Sequence, residues 1–177
     1  DRFIQADELP KFFKALSEET SIIVRDYILL SLLTGARRSN VLAMRWGEIN
    51  FDRVTWTIPV TKTGESHTVP LVVAAIDILK SRQENNINNN PWVFPGSGVS
   101  GHLVETKKPW KRILAKAGIK DLRIHDLRRS LGSWQAATGA NLSIIGKTLA
   151  HKNVSTTAIY ARLNIDPVRE SMNKATD

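Results

Sequence analysis

Cysteine is absent from the 177-residue chain. That excludes a disulfide scaffold, thiolate catalysis and any cysteine-held zinc or iron–sulfur centre, and it fits a reducing compartment. Long hydrophobic runs are absent too. The longest, YILLSLL at residues 27–33, is far too short to span a bilayer. No repeat of fixed period is visible, which argues against a solenoid. There is no P-loop, no GxSxG elbow and no candidate carboxylate pair for hydrolysis. The four histidines, His67, His102, His125 and His151, form no i, i+4 pair and have no carboxylate cluster beside them, so a metal site is not expected. Acidic side chains are the minority: 17 Asp and Glu against 25 Lys and Arg give a net charge of +8. This excess points to an anionic partner, nucleic acid foremost. The chain opens on Asp1, with neither an initiator Met nor a secretory signal, and is expected to be a fragment.

With 42% hydrophobic and 24% charged residues, the chain has the composition of a folded domain of ordinary size. Helical patterning is expected over 6–16, 22–33, 39–44, 72–86, 105–117, 124–138, 143–150, 155–162 and 167–174. The alternating, β-branched segment 54–58 and the segment 67–69 read as two strands joined by the polar turn TKTGES. Asn-rich 85–91 and Gly-rich 95–101 read as loops. The expected fold class is therefore mainly α with a small antiparallel β-sheet (α+β), as one domain over 1–177.

Several motifs have an ordinary explanation. GSGVSG at 96–101 matches GxGxxG, yet Pro91 and Pro95 bracket the short segment before it and no helix opens inside it, so a loop is expected. The sequons at Asn141 and Asn153 carry no information without a secretory signal. Arg37 and Arg38 follow a buried helix and could simply favour its C-terminus. Lys62 could be a solvated turn lysine and Tyr160 a packing residue. His125 and Arg128 stand three apart and would share a helix face.

In order along the chain stand TGARRSNVLAMRW, TKTGESHTVPL, HDLRRS and LAHKNVSTTAIYAR, with Arg128 and Tyr160 32 residues apart. Together they resemble the catalytic domain of the tyrosine recombinase, or phage integrase, family, and the closing STTAIYARLNIDPVR resembles integrases of temperate phages and genomic islands. The resemblance runs from about Phe3 to Arg169. It implies that Arg37 is the first catalytic arginine, Lys62 the β-hairpin lysine, His125 and Arg128 the HxxR box, His151 the position held by His or Trp, and Tyr160 the nucleophile. Where the family often carries Glu or Asp, three residues after the first arginine, this chain has Asn40. Glu65 replaces the usual cation after TKTG.

The resemblance further implies a site-specific recombinase acting on double-stranded DNA attachment sites through a 3′-phosphotyrosine, without cofactor, metal or ATP. It implies a homotetramer on DNA (the isolated fragment being a monomer), accessory DNA-bending proteins, N-terminal DNA-binding domains outside this fragment, and a tail helix over 167–174 packed on a neighbouring subunit. No membrane is involved and the expected setting is the bacterial cytoplasm, at the nucleoid. A type IB topoisomerase and an inactive DNA-binding module are the alternatives. Lys107, Lys108, Lys111, Arg112, Arg129 and Lys152 are the candidate DNA-backbone contacts, each of which could instead belong to a solvated face. The chemistry suits these residue types. Guanidinium forks bind the oxygens of a phosphodiester attacked in line, a phenol can act as covalent nucleophile, and a lysine can protonate the leaving oxygen.

Overall fold

A computed structural model describes residues 2–60, 64–163 and 172 of the chain. Lys62 lies outside the described residues, as does the expected tail helix apart from Met172.

Helix α2 (Ile22–Thr34) is apolar on nearly every side, and eight of its residues are buried, which makes it the central strut. Two of its hydroxyls are satisfied within the helix: Ser31 Oγ donates to the Tyr27 carbonyl at 2.8 Å and Thr34 Oγ1 to the Leu30 carbonyl at 2.6 Å. The buried Asp26 carboxylate accepts from Arg82 Nη1 at 3.1 Å, tying α2 to α4 (Val73–Glu84). Helix α1 (Leu9–Ser17) packs on α5 (Lys107–Ala117), with Phe12 edge-on to Trp110 at a centroid distance of 6.0 Å. Helix α6 (Asp126–Ala137) lies along α2. Short helices α3 (Arg38–Leu42), α7 (Leu142–Thr148) and α8 (Val154–Thr157) complete the set, and α8 runs on into a 3₁₀ segment, Ala158–Leu163.

Three short strands form the sheet: β1 (Ile49–Asn50), β2 (Thr55–Ile58) and β3 (His67–Pro70), antiparallel in the order β1-β2-β3. Trp56 pairs with Val69 and Ile58 with His67. Trp56 is fully buried and its indole N–H donates to Glu48 Oε2 at 3.1 Å. The 96–101 segment is a loop, closed by a bridge between Pro95 and His102.

The main core gathers α1, α2, the sheet, α4 and α5 around Phe12, Tyr27, Leu30, Trp56 and Phe94. A smaller cluster, Ala136, Ile145, Leu149 and Tyr160, sits under α7 and the 3₁₀ segment.

The expected elements that fall on the described residues are present, with shifted edges. The first helix starts at Leu9 rather than residue 6, because Glu8 accepts the Gln5 N–H at 2.9 Å and holds the preceding residues in a turn. The helix expected over 124–138 starts at Asp126, whose carboxylate accepts the Arg123 N–H at 2.8 Å. The helix expected over 155–162 is split: α8 ends at Thr157 and tightens into 3₁₀, as befits a stretch rich in β-branched residues. Strand β1 was not expected as a strand.

Gly35 ends α2 in the left-handed region at φ +61°, and a Cβ there would stand 2.8 Å from Leu131 Cδ2 and 2.9 Å from Leu149 Cδ2. Gly35→Ala is expected to lower the unfolding free energy by about 1–3 kcal/mol. Urea unfolding checks it, and an unchanged midpoint would contradict the packing described.

Candidate active site

The two cores meet at Arg128. This residue sits in the first turn of α6 and is only 8% exposed. Its Nη1 donates to the Gly35 carbonyl at 2.5 Å, and its Nη2 donates to the Leu149 carbonyl. Gly35 and Leu149 are the C-caps of α2 and α7. The guanidinium therefore lies at two helix C-termini, where unpaired carbonyls and the negative ends of the dipoles favour a cation. Burial, reinforced by the Arg37 charge, pushes its pKa down to about 10, so it stays charged at neutral pH. Arg37 precedes α3 as its N-cap and is half-buried. Among the described residues no carboxylate pairs with Arg37 or Arg128. Two cations held side by side without a counter-ion form a site for an anion. Asn40 donates its backbone N–H to the Arg37 carbonyl at 2.9 Å.

His151 follows α7 and is half-buried, its N–H bonded to the Gly146 carbonyl at 2.9 Å. Burial first, then the charges of Arg128 and Arg37, push its pKa down to about 4. It is neutral at pH 7. His125 is the exposed N-cap of α6, with helical backbone angles and its carbonyl accepting the Arg128 N–H at 3.3 Å, and its pKa is lowered by desolvation and by the Arg129 and Arg128 charges. Tyr160 lies on the 3₁₀ segment and is 3% exposed. Its ring lies so close to α6 that a Cβ on Gly132 would stand 2.6 Å from Cζ. Burial raises the phenol pKa, while Arg128 and Arg129 draw it back down. Arg37, Arg128, His151 and Tyr160 thus converge, close enough for the charge of Arg128 to act on both His151 and Tyr160.

Beside them, β3 and α7 border a cleft of ≈ 740 Å³ lined by His67, Lys147, Thr148, His151, Lys152 and Thr157 among others. Nothing in the sequence motifs points to His67. It lies within reach of the Arg128 and Arg37 charges and of the Thr148 backbone, and its pKa is lowered, burial being the largest cause. The available signal was strand alternation, which puts His67 on the face of buried Val69. Asp126, with no side-chain exposure, is likewise not singled out by the motifs. It accepts from Arg123 Nη2 at 3.0 Å and from Arg129 Nη1 at 3.2 Å.

The candidate DNA contacts divide. Lys107, Lys108 and Lys111 are exposed on α5. Arg112 is engaged internally, 2.6 Å from the buried Glu19 carboxylate at the end of α1, and neighbouring Lys116 pairs with Glu18. None of the α5 cations lines the cleft, whereas Lys152 does, 3.5 Å from Glu65. Among the described residues no group of His, Asp or Glu could hold a metal ion, and no helix is long and apolar enough to cross a membrane.

A helical domain with a small antiparallel sheet that carries this arrangement has the fold of the tyrosine recombinase catalytic domain. The XerH site-specific recombinase, in a structure titled as a pre-cleavage complex with its difH substrate, matches with a TM-score of 0.78 at 21% identity, over 97% of this chain and 53% of that one. The catalytic domain of bacteriophage HP1 integrase matches at 0.72 and 18% identity, over 97% of this chain and 93% of that one. The chain belongs to the phage integrase family, whose sequence model matches residues 2–166. Prophage integrase IntF of Escherichia coli is 27% identical over 154 residues, 86% of this chain and 33% of the relative. The chain spans between 33% and 60% of the length of the curated relatives it matches.

The lowered histidine pKa values make a pH prediction. Between about 6.5 and about 4 the unfolded chain binds protons that folded His151 does not, so stability falls as the pH drops through that window. The loss between about pH 7 and pH 5 should be on the order of 1 kcal/mol after solvent screening, and His151→Gln should reduce it. Urea midpoints across that range check this; a flat profile for the unsubstituted protein contradicts the assignment.

Proposed function

We propose that this chain is the catalytic domain of a site-specific DNA recombinase that cleaves and rejoins double-stranded DNA through a 3′-phosphotyrosine, integrating or excising a mobile element. The observation that carries the proposal is the convergence of two guanidinium groups, with no carboxylate partner among the described residues, and a neutral imidazole on a tyrosine. Arg37 and Arg128 bind the non-bridging oxygens of the scissile phosphate, and His151 donates a further hydrogen bond. These groups stabilise the charge that develops in the transition state, where one lost donor lowers the rate by roughly 10²–10³-fold. The Tyr160 hydroxyl attacks phosphorus in line, and His125 accepts or relays its proton. The bond from phosphorus to the 5′-oxygen breaks, and Lys62 supplies the proton that makes this oxygen a hydroxyl. The phosphotyrosine conserves the bond energy, so a second 5′-hydroxyl reverses the step without ATP. Lys107, Lys108, Lys111, Arg129 and Lys152 contact the DNA backbone around this centre. Recombination takes place in a tetramer on two DNA sites.

A nicked suicide substrate, which loses a short 5′-hydroxyl fragment on cleavage, tests the reading. The full-length protein should form a covalent adduct in excess EDTA, and Arg37→Ala and Arg128→Ala should each slow it by about 10²–10³-fold. Absence of an adduct, or an adduct abolished by EDTA and restored by magnesium, would overturn it.

A 5′-thio substrate isolates the role of Lys62, because sulfur leaves without a proton. Lys62→Ala should be about 10²–10⁴-fold slow on ordinary DNA yet close to unsubstituted protein on the thio substrate. Arg37→Ala should stay slow on both. If Lys62→Ala is equally slow on sulfur, the lysine binds phosphate and the proton donor is another group.

A further inference from the structure

Thr157 is a buried polar side chain whose hydroxyl meets the ring of His151. It sits at the end of α8, is 2% exposed, and its Oγ1 stands 3.0 Å from His151 Nδ1. Among the described residues its hydroxyl makes no other side-chain hydrogen bond. That fixes the direction of the bond. A hydroxyl proton buried this deeply needs an acceptor, and among the described residues Nδ1 is the one within hydrogen-bond distance. Were Nδ1 the protonated nitrogen, it would donate to Oγ1 and leave the hydroxyl proton buried without a partner. The favoured arrangement has Thr157 donating and Nδ1 accepting with its lone pair. In a neutral imidazole the single proton then resides on Nε2. The ring is held neutral by its burial and by the guanidinium groups of Arg128 and Arg37, so the choice between tautomers is meaningful at neutral pH.

We infer that Thr157 is a positioning residue that donates its hydroxyl proton to Nδ1 and so fixes His151 in the Nε2–H tautomer, presenting a neutral hydrogen-bond donor to a phosphate oxygen bound beside it. The place of Thr157 in the chain adds a second constraint. It stands three residues before Tyr160, at the junction of α8 with the 3₁₀ segment that carries the nucleophile. One side chain therefore sets the tautomer of the donor and ties the donor's ring to the segment that bears the attacking hydroxyl. Ordering a ring through the nitrogen that does not touch the ligand is a common way of fixing its function.

The part of this inference that concerns catalysis rests on the recombinase reading; the tautomer does not. Two measurements keep them apart. In the full-length protein labelled with ¹⁵N-histidine, long-range proton–nitrogen spectra without DNA should show His151 as the Nε2–H form. Thr157→Ser, which keeps the hydroxyl, should preserve that form. Thr157→Val, of nearly the same shape, should give a mixture of tautomers. On the suicide substrate, Thr157→Val should form adduct about tenfold more slowly or worse, with DNA affinity unchanged, and Thr157→Ser should return most of the rate. An Nδ1–H ring in the unsubstituted protein overturns the inference, as does a Val variant of unchanged rate or a Ser variant as slow as Val. If the unsubstituted protein forms no adduct, the recombinase reading fails, and the ring spectra alone decide what Thr157 does.

Discussion

A buried guanidinium without a carboxylate is the constraint around which this molecule is organised. Arg128 is almost wholly covered, yet it is bonded to two backbone carbonyls, those of Gly35 and Leu149, and to no acidic side chain among the described residues. Removing a cation from water is unfavourable unless its donors are taken up. Here the C-termini of α2 and α7 take them up with partial charges rather than a full negative charge. Had a carboxylate filled this position, the pair would be neutral and the site would hold no affinity for an anion. The carbonyl cage keeps Arg128 in place while leaving its charge, with that of Arg37, to act outward.

The other features follow from that choice. Gly35 is needed because the chain must turn in the left-handed region directly beneath the guanidinium, with Leu131 and Leu149 closing over it. Burial, with the uncancelled arginine charge added to it, lowers the pKa values of His67, His125 and His151, and the Arg128 and Arg129 charges offset part of the rise that burial gives the phenol. Tyr160 can approach α6 because Gly132 has no side chain. The carboxylates are placed elsewhere: Asp126 on Arg123 and Arg129, Glu19 on Arg112, Asp26 on Arg82. Glu19 and Asp26 tie helices together, Asp126 closes the start of α6, and the centre is left positive.

The ordered motifs, from the pair Arg37-Arg38 to Tyr160, were legible in the sequence because each keeps a fixed local spacing. The element types were legible for the same reason, through apolar periodicity and turn residues. What escaped depends on contacts across the chain. The burial of Arg128 arises from Gly35 and Leu149, 93 and 21 residues away. Arg112 reads as a free cation on a basic helix until Glu19, 93 residues earlier, is seen beside it. His67 and Thr157 look like ordinary strand and helix residues, and only the packing of β3 and α8 around α7 brings them to the cleft. The edges of α6 and α8 shifted because side-chain bonds from Asp126 and a β-branched stretch decide where regular helix begins and ends.

The account stands or falls on which atom receives the DNA. Trapping the full-length protein on a suicide substrate, digesting the adduct and sequencing the modified peptide by tandem mass spectrometry reads this directly. The account predicts one modified residue, Tyr160, carrying a nucleotide through its 3′-phosphate. A nucleotide on any other side chain, or one attached through a 5′-phosphate, would contradict it.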